Sequence, residues 1–232
     1  MRRILMSVLT LILLGSGSAA FSTNWSQGTN YFLIQPAQPK SVADNKVEVT
    51  EVFSYACPAC NRFYPTIDKL RAALPANAEL TFVPAAFNTS EDWPMFQRAY
   101  YAAQALGVER KTHDAVFDAV WKTGELAVID VSTQRIKSPA PTIEDAARWY
   151  AKTAGIKADV FVSTANSFGV DTRTRQADQF IRAAQVDQTP TMIVNGKYRL
   201  TVQSAGSDDK LIELVLWLVQ QESAGAMKSA SH

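Results

Sequence analysis

The chain has 232 residues, with 23 Lys and Arg against 22 Asp and Glu, 47% apolar residues and two cysteines. This composition excludes a disordered, collagen-like or disulfide-stapled chain, and the length suffices for one globular domain or one domain with an insertion. A formal charge of +1 also argues against nucleic acid as the main partner, because phosphate binding needs an excess of basic residues on one face.

The first twenty residues have the pattern of a secretory signal peptide. Arg2 and Arg3 precede an apolar run over residues 4–14, and the small residue Ala20 suits cleavage before Phe21. The alternative is an uncleaved membrane anchor, although a bilayer span usually needs ~20 apolar residues and this run is shorter. We therefore expect this segment to direct export.

The side chains of the segment from Val47 to Tyr55 follow a period of two, and the segment is rich in β-branched and aromatic residues. Both features predict a strand. A period of two places Glu51 on the face of Val49 and Phe53, among apolar side chains, while Glu48 points the other way. A buried, unpaired carboxylate has a raised pKa, which suits a group that exchanges a proton with a thiol. The alternative is that Glu51 is solvated or salt-bridged at a rotated strand or an open sheet edge.

Both cysteines lie in one tetrapeptide, Cys57-Pro58-Ala59-Cys60. A bridge that closes so small a loop removes little entropy from the unfolded chain, so redox chemistry explains it better than stabilisation. Helical spacing follows, and Pro58 suits the first helical position. Cys57 is then the N-cap, where amide donors and the helix dipole favour the attacking thiolate. Cys60, one turn further on, is placed to attack back, and Glu51 would take its proton and return it.

One short strand and a block of helices are predicted downstream. The strand covers residues 79–84, and the helices cover 93–106, 111–122, 142–153, 157–168 and 172–184. The tryptophan and phenylalanine residues of this block fit a helical core better than a ligand-binding box. His113 also fits a core position, beside Val116 and Phe117, better than a ligand or a catalytic base.

The C-terminal part contains a hairpin signal. Two strands over 189–194 and 197–202 flank Asn195-Gly196, a dipeptide typical of a tight β-turn. Ser207 is expected to cap a final helix with an apolar stripe. The chain after residue 223 is small and polar, so we expect it to fray.

These residues resemble the exported, thioredoxin-fold thiol:disulfide oxidoreductases of the DsbA type. The most specific matches are residues 51–60 (Glu-Val-Phe-Ser-Tyr-Ala-Cys-Pro-Ala-Cys) and residues 189–198 (Thr-Pro-Thr-Met-Ile-Val-Asn-Gly-Lys-Tyr). The resemblance implies an α/β, thioredoxin-like fold with an inserted helical domain. The boundaries expected along the chain are a signal peptide over 1–20, thioredoxin-like parts over 21–86 and 187–223, a helical domain over 87–186 and a flexible tail over 224–232.

The resemblance also implies roles for individual residues. Cys57 is the exposed nucleophile, Cys60 is its buried partner, and Glu51 is the buried acid beneath the site. Pro190 is implied to be a cis-proline whose loop lends its backbone to an extended substrate peptide. The residues expected to contact substrate are Pro58, Ala59, Thr189 and Pro190.

A protein of this type donates its own disulfide and needs no cofactor or metal. Its expected substrates are unfolded or partly folded exported proteins with free thiols. A membrane partner of the DsbB type is expected to reoxidise it, and we expect it to act in the periplasm as a monomer.

Two residues depart from the best-known pattern of the family. Ala59 stands where a histidine usually helps to hold the thiolate, and Thr189 stands where valine is more familiar and resembles the isomerase and reductase branches. A disulfide isomerase or reductase therefore remains an alternative, although the segment between Phe21 and Val47 has too few residues for the usual dimerisation domain of an isomerase. A non-enzymatic peptide-binding or chaperone module with an inert bridge is a further alternative. A zinc site is disfavoured, because only His113 and His232 are available beside the cysteines.

Overall fold

The structure, a computed structural model, describes residues 24–130, 133 and 135–229. The predicted signal peptide lies outside the described residues. Within the described ranges no helix is both long and apolar enough to cross a membrane.

The strands form a five-stranded sheet and a separate two-stranded ribbon. In chain order they are β1 (Phe32–Leu33), β2 (Val47–Phe53), β3 (Ala78–Pro84), β4 (Ile129–Asp130), β5 (Arg135–Ile136), β6 (Thr191–Val194) and β7 (Tyr198–Leu200). The sheet has the order β1-β7-β6-β2-β3, with β2 parallel to β3 and antiparallel to β6, while β4 pairs with β5. The strand that leads to the cysteines therefore lies inside the sheet.

The helices occupy the connections and the C-terminus. They are α1 (Pro58–Ala73), α2 (Trp93–Ala105), α3 (Glu109–Trp121), α4 (Ile143–Ala154), α5 (Ala158–Ala165), α6 (Phe168–Ala183), α7 (Val202–Ala205) and α8 (Asp208–Ser229). Five of them, α2 to α6, are inserted between β3 and β6. The result is the predicted α/β architecture with a helical insertion.

Strand β2 is buried on both faces. All seven of its residues are buried, which is typical of a strand covered on both sides of the sheet. Glu48, which the alternation predicts on the face away from the core, is only 4% exposed, and its carboxylate accepts a hydrogen bond from the Ser41 hydroxyl. The period of two therefore separates two buried faces and does not separate core from solvent.

Two apolar clusters hold the layers together. One joins the sheet to α1 and α8 and includes Val49, Ile67, Leu70, Met192 and Leu214. The other continues from the sheet into the helical insertion and includes Phe53, Tyr55, Phe96, Tyr100, Phe117, Tyr150 and Phe161. Both cysteines belong to this second cluster, so the tetrapeptide lies where the sheet meets the inserted helices.

The Asn-Gly hairpin is confirmed. Asn195 and Gly196 have φ angles of 54° and 66°, the left-handed values that a tight hairpin turn of this kind requires. The Lys197 amide closes the turn by donating to the Val194 carbonyl at 3.0 Å. Glycine is needed at 196 for a second reason, because a Cβ there would stand 2.1 Å from the carbonyl oxygen of Gln38.

Several boundaries differ from the predicted ones. Helix α5 ends at Ala165, and α6 begins at Phe168, four residues before the predicted start, because the Ser167 hydroxyl caps it by accepting from the Val170 amide. Helix α8 continues to Ser229, beyond residue 223, after which we expected the chain to fray. The short elements β1, β4, β5 and α7 were not predicted.

Candidate active site

The sequence between β2 and α1 forms a tight turn that ends at the first cysteine. The Cys57 amide donates to the Ser54 carbonyl at 3.1 Å, and the Ala56 amide donates to the Ser54 hydroxyl at 3.3 Å. Cys57 is the N-cap of α1, with Pro58 next to it at the start of the helix. This is the predicted strand-to-helix junction.

The Cys57 sulfur accepts a hydrogen bond from the helix that it caps. The Cys60 amide nitrogen lies 3.4 Å from Cys57 Sγ. Hydrogen bonding lowers the pKa of Cys57 to about 6, first from the Cys60 thiol and then from the Thr189 side chain and the amides of Cys60 and Ala59. These bonds outweigh the opposing effect of burial. A thiol with such a pKa is largely thiolate at neutral pH.

The two cysteines differ in accessibility and acidity. Cys60 is completely buried, and burial followed by the neighbouring Cys57 raises its pKa well above the ordinary value. Cys57 is 5% exposed, which corrects the expectation of an openly exposed nucleophile, because the loop at Thr189 covers its sulfur. The exposed Pro58 and the half-buried Ala59 border it. The pair therefore combines an acidic outer thiol with a weakly acidic inner one.

Glu51 lies inside the sheet below this pair. Its neighbours in register are Phe82 on β3 and Met192 on β6, and only 2% of the residue is exposed. Burial raises the pKa of its carboxyl well above the ordinary value, the Cys57 charge raises it further, and Arg71 opposes the shift. The alternative of a solvated Glu51 at an open sheet edge is therefore wrong.

The loop before β6 reaches the first cysteine from the other end of the chain. The Thr189–Pro190 peptide bond is cis, and Cys57 Sγ lies 3.6 Å from the Thr189 carbonyl oxygen, to which the protonated thiol donates. Thr189 and Pro190 are both half-buried. All seven residues assigned to the site by sequence thus lie in or directly below one region.

Two contacts of this region were not predicted. The hydroxyl of Tyr55 and Nδ1 of His113 are joined by a hydrogen bond of 2.9 Å, and the Trp121 indole nitrogen donates to the Tyr55 carbonyl at 2.8 Å. The prediction of His113 as a core residue is confirmed, since it is 4% exposed. Its partner is 58 residues away in the chain, and no local spacing pattern signals such a contact.

The described residues contain no group of three or more His, Cys, Asp or Glu side chains arranged to hold a metal ion. A groove of about 1440 Å³ runs along the edge strand β3. Its walls include Thr50, Phe82, Tyr100, His113 and Phe180, whereas the cysteines are not part of it. The cysteine pair and this groove are therefore separate features.

A low-pKa thiol at a helix N-terminus, a buried second thiol one turn later and an adjacent cis-proline loop define a redox-active dithiol site. This site belongs to the class of thiol:disulfide oxidoreductases.

Comparisons with known proteins agree with that class. A family model described as "Thioredoxin" matches residues 42–213. The thiol:disulfide interchange protein DsbA of Pseudomonas aeruginosa is 31% identical over 228 residues, which cover 98% of this chain and 100% of that protein. The crystal structure of Pseudomonas aeruginosa DsbA has a TM-score of 0.74 at 32% identity and covers 89% of this chain and 98% of its own. The structure of oxidoreductase DsbA from Xylella fastidiosa has a TM-score of 0.73 at 31% identity, and the match covers 85% of this chain and 97% of that one.

The chain belongs to the thioredoxin family, among its DsbA-type members. It is a thiol:disulfide oxidoreductase that oxidises substrate proteins. The predicted fold class, family and enzyme activity are confirmed.

Proposed function

We propose that Cys57 carries the exchange chemistry. In the oxidised enzyme a substrate thiolate attacks Cys57 Sγ, the Cys57–Cys60 bond breaks, and Cys60 leaves with the electron pair. A second substrate thiolate then attacks the substrate sulfur of the mixed disulfide, and Cys57 leaves as a thiolate. Two electrons pass from the substrate dithiol to the enzyme, which is left reduced.

The observation that carries this proposal is the asymmetry of the two thiols. A pKa of about 6 makes Cys57 a good leaving group, and it stabilises the reduced form of the enzyme. A dithiol stabilised in the reduced state accepts electrons readily, which favours disulfide donation over reduction.

Glu51 is proposed to exchange the proton of the inner sulfur. Cys60 leaves as a thiolate in a fully buried position, where a charge without a proton source is costly. The buried Glu51 carboxyl has a raised pKa, so it is able to hold a proton near neutral pH and to pass it to Cys60.

The residues around Cys57 are proposed to hold the substrate backbone. Thr189 and Pro190 are half-buried next to the sulfur, and Pro58 and Ala59 lie on its other side. A peptide extended beside the cis-proline loop would bring its own cysteine to Cys57. Because these contacts involve mostly backbone, they suit many unfolded sequences.

A disulfide isomerase or reductase is the second candidate. Two features favour it: the side chain of Ala59 offers no donor to the thiolate, and Thr189 stands next to the cis-proline. The equilibrium reduction potential of the cysteine pair separates the candidates. It is measured in glutathione buffers by trapping the free thiols of mature protein.

A potential more positive than about −200 mV supports a disulfide donor, whereas one near −270 mV supports a reductant. A value below about −300 mV indicates a structural bridge and contradicts the proposal. In parallel, Cys60→Ser should accumulate mixed disulfides with an unfolded substrate protein that carries a disulfide: the Cys57 thiolate attacks that disulfide, one substrate sulfur leaves as a thiolate, and no Cys60 sulfur is present to attack back and release the substrate. Cys57→Ser is the matched control and should form none.

We further propose that the protein acts in the periplasm, as a monomer, on unfolded or partly folded exported proteins with free thiols. Residues 1–20 would direct export, and a DsbB-type membrane protein would reoxidise the Cys57–Cys60 pair without another cofactor. Membrane vesicles that contain such a partner should reoxidise the reduced protein, and vesicles that lack it should not. Mass determination of protein recovered from the periplasm tests cleavage before Phe21.

A further inference from the structure

Helix α3 of the insertion contacts the active-site turn at two points. Nδ1 of His113 is hydrogen-bonded to the Tyr55 hydroxyl at 2.9 Å, and the Trp121 indole nitrogen donates to the Tyr55 carbonyl at 2.8 Å. Tyr55 is two residues before Cys57 and only 1% exposed. Both its side chain and its backbone are therefore tied to the same helix.

The His113 ring lies in an aromatic cage that does not itself require a histidine. Its centroid is 4.9 Å from Phe53, 4.3 Å from Phe82 and 5.6 Å from Phe117. Burial, assisted by Arg71, lowers the pKa of His113 to about 3, so the ring is neutral at working pH. A neutral polar ring costs free energy in such a cage unless it is hydrogen-bonded. Its hydrogen bond to the Tyr55 hydroxyl supplies such a polar partner.

The turn transmits the position of Tyr55 to the sulfur. The Cys57 amide is bonded to the Ser54 carbonyl at 3.1 Å, which closes the turn around Tyr55 and Ala56. With Tyr55 held at its hydroxyl and its carbonyl, the following peptide has little freedom to rotate. Cys57 then keeps the N-cap conformation, with φ −81° and ψ 118°, in which Sγ accepts from the Cys60 amide.

We propose that His113 and Trp121 are positioning residues for the nucleophile, acting through Tyr55 to hold the Ser54–Cys57 turn and so keep Cys57 Sγ at the helix N-terminus. Neither residue touches the sulfur. The inserted helical part is in this respect a component of the active site and has more than a covering role. The inference rests on the proposed role of Cys57 as the reacting thiol.

The test uses three variants that keep an aromatic ring and remove one polar group: Tyr55→Phe, His113→Phe and Trp121→Phe. Two matched controls, Tyr101→Phe and Trp149→Phe, make the same changes at buried residues of α2 and α4 that form no hydrogen bond with the described turn. The readouts are the ultraviolet titration of the Cys57 thiolate, its alkylation rate at about pH 5.5, and the melting temperature.

Alkylation of Cys57 should fall about threefold in Tyr55→Phe and Trp121→Phe, with a matching rise in the titration midpoint, while both controls keep the wild-type rate. The double variant Tyr55→Phe/His113→Phe should react no more slowly than the slower of its single variants, because both members of one hydrogen bond are removed. A merely structural role would lower the melting temperature in variants and controls alike without moving the titration.

Wild-type titration and alkylation in Tyr55→Phe and Trp121→Phe, or equal losses in the controls, would overturn the proposal. A separate outcome tests the proposed role of Cys57 as the reacting thiol, on which the positioning role depends. If the fast-reacting thiol of the wild-type protein persists in Cys57→Ser, the assigned role of Cys57 fails. If that thiol is lost in Cys57→Ser while the positioning variants react normally, only the positioning role fails.

Discussion

The sulfur of Cys57 lies 3.6 Å from the carbonyl oxygen of Thr189, a residue 132 positions later in the chain. This contact brings the loop of the cis-proline against the helix N-terminus. The parts of the chain before and after the helical insertion therefore meet at the sulfur that we propose to react. The loop contacts the sulfur through this carbonyl oxygen, and the Thr189 side chain in addition lowers the pKa of Cys57.

Replacing Thr189 with Val should make Cys57 less acidic. Valine keeps the β-branched shape and removes the hydroxyl that supports the thiolate. We expect alkylation of Cys57 at about pH 5.5 to slow about threefold, since less thiolate is present. Thr189→Ser keeps the hydroxyl and is the control. An unchanged thiolate titration in Thr189→Val would show that the loop acts through its backbone alone.

The reduced protein should gain stability as the pH rises through about 6. The folded pKa of Cys57 is about 6, below the ordinary thiol value of ~8.5. When folding lowers the pKa of an acid, that group adds nothing to the free energy of unfolding at a pH below its folded-state pKa. Its contribution grows as the pH rises and is complete above its unfolded-state pKa. The increase in the free energy of unfolding of the reduced protein should approach about 3 kcal/mol by about pH 8.5.

The measurement is denaturant unfolding of the reduced and oxidised proteins at about pH 5, 6.5 and 8. The oxidised protein is the internal control, because it has no Cys57 thiolate but retains Glu51 and the other titrating groups. The difference in unfolding free energy between the two forms should increase with pH. A difference that stays constant from pH ~5 to ~8 would contradict a thiolate stabilised by the fold.

Replacing Glu51 with Gln should slow thiol exchange at neutral pH and stabilise the fold. The amide cannot pass a proton to Cys60. The substitution also removes a carboxyl whose pKa is raised by burial. Such a carboxyl lowers the free energy of unfolding once the pH exceeds its unfolded-state pKa of ~4.3. The melting temperature of Glu51→Gln should therefore exceed that of the wild type at about pH 7, and the difference should vanish below about pH 4.

Glu48→Gln is the matched control for this change. Glu48 is also a buried carboxylate of β2, but it is engaged by the Ser41 hydroxyl on the other face of the sheet. Stopped-flow exchange with a model dithiol at neutral pH should be slowed in Glu51→Gln and normal in Glu48→Gln. Equal rates in both variants and the wild type would remove Glu51 from the proton path.

Much of the site is readable from the sequence because its determinants are local. The strand, the proline at the first helical position and the spacing of the cysteines together place Cys57 at a helix N-cap. The cis state of Pro190 entered only through resemblance to a family, since few X-Pro bonds are cis.

Other features depend on contacts between distant segments. The alternation of β2 could not reveal that the face of Glu48 is also covered, because the covering segments are supplied elsewhere in the chain. The partners of Tyr55 lie 58 and 66 residues away, so local periodicity contains no information about them. The continuation of α8 was missed for a different reason, since composition alone did not decide between helix and a frayed end.

Replacing Ala59 with His should make the protein a stronger oxidant. The Ala59 amide already supports the Cys57 thiolate, whereas its methyl side chain offers no donor. Ala59 is half-buried beside Cys57, so an imidazolium at this position would add a charge and a hydrogen-bond donor near the sulfur. We expect the titration midpoint of Cys57 to fall and the glutathione equilibrium to shift about tenfold toward the reduced enzyme. Ala59→Gln, a polar but uncharged change, should produce a smaller shift. If Ala59→His and the wild type have the same equilibrium constant, the amides, the Cys60 thiol and the Thr189 side chain already account for the stabilisation of the thiolate.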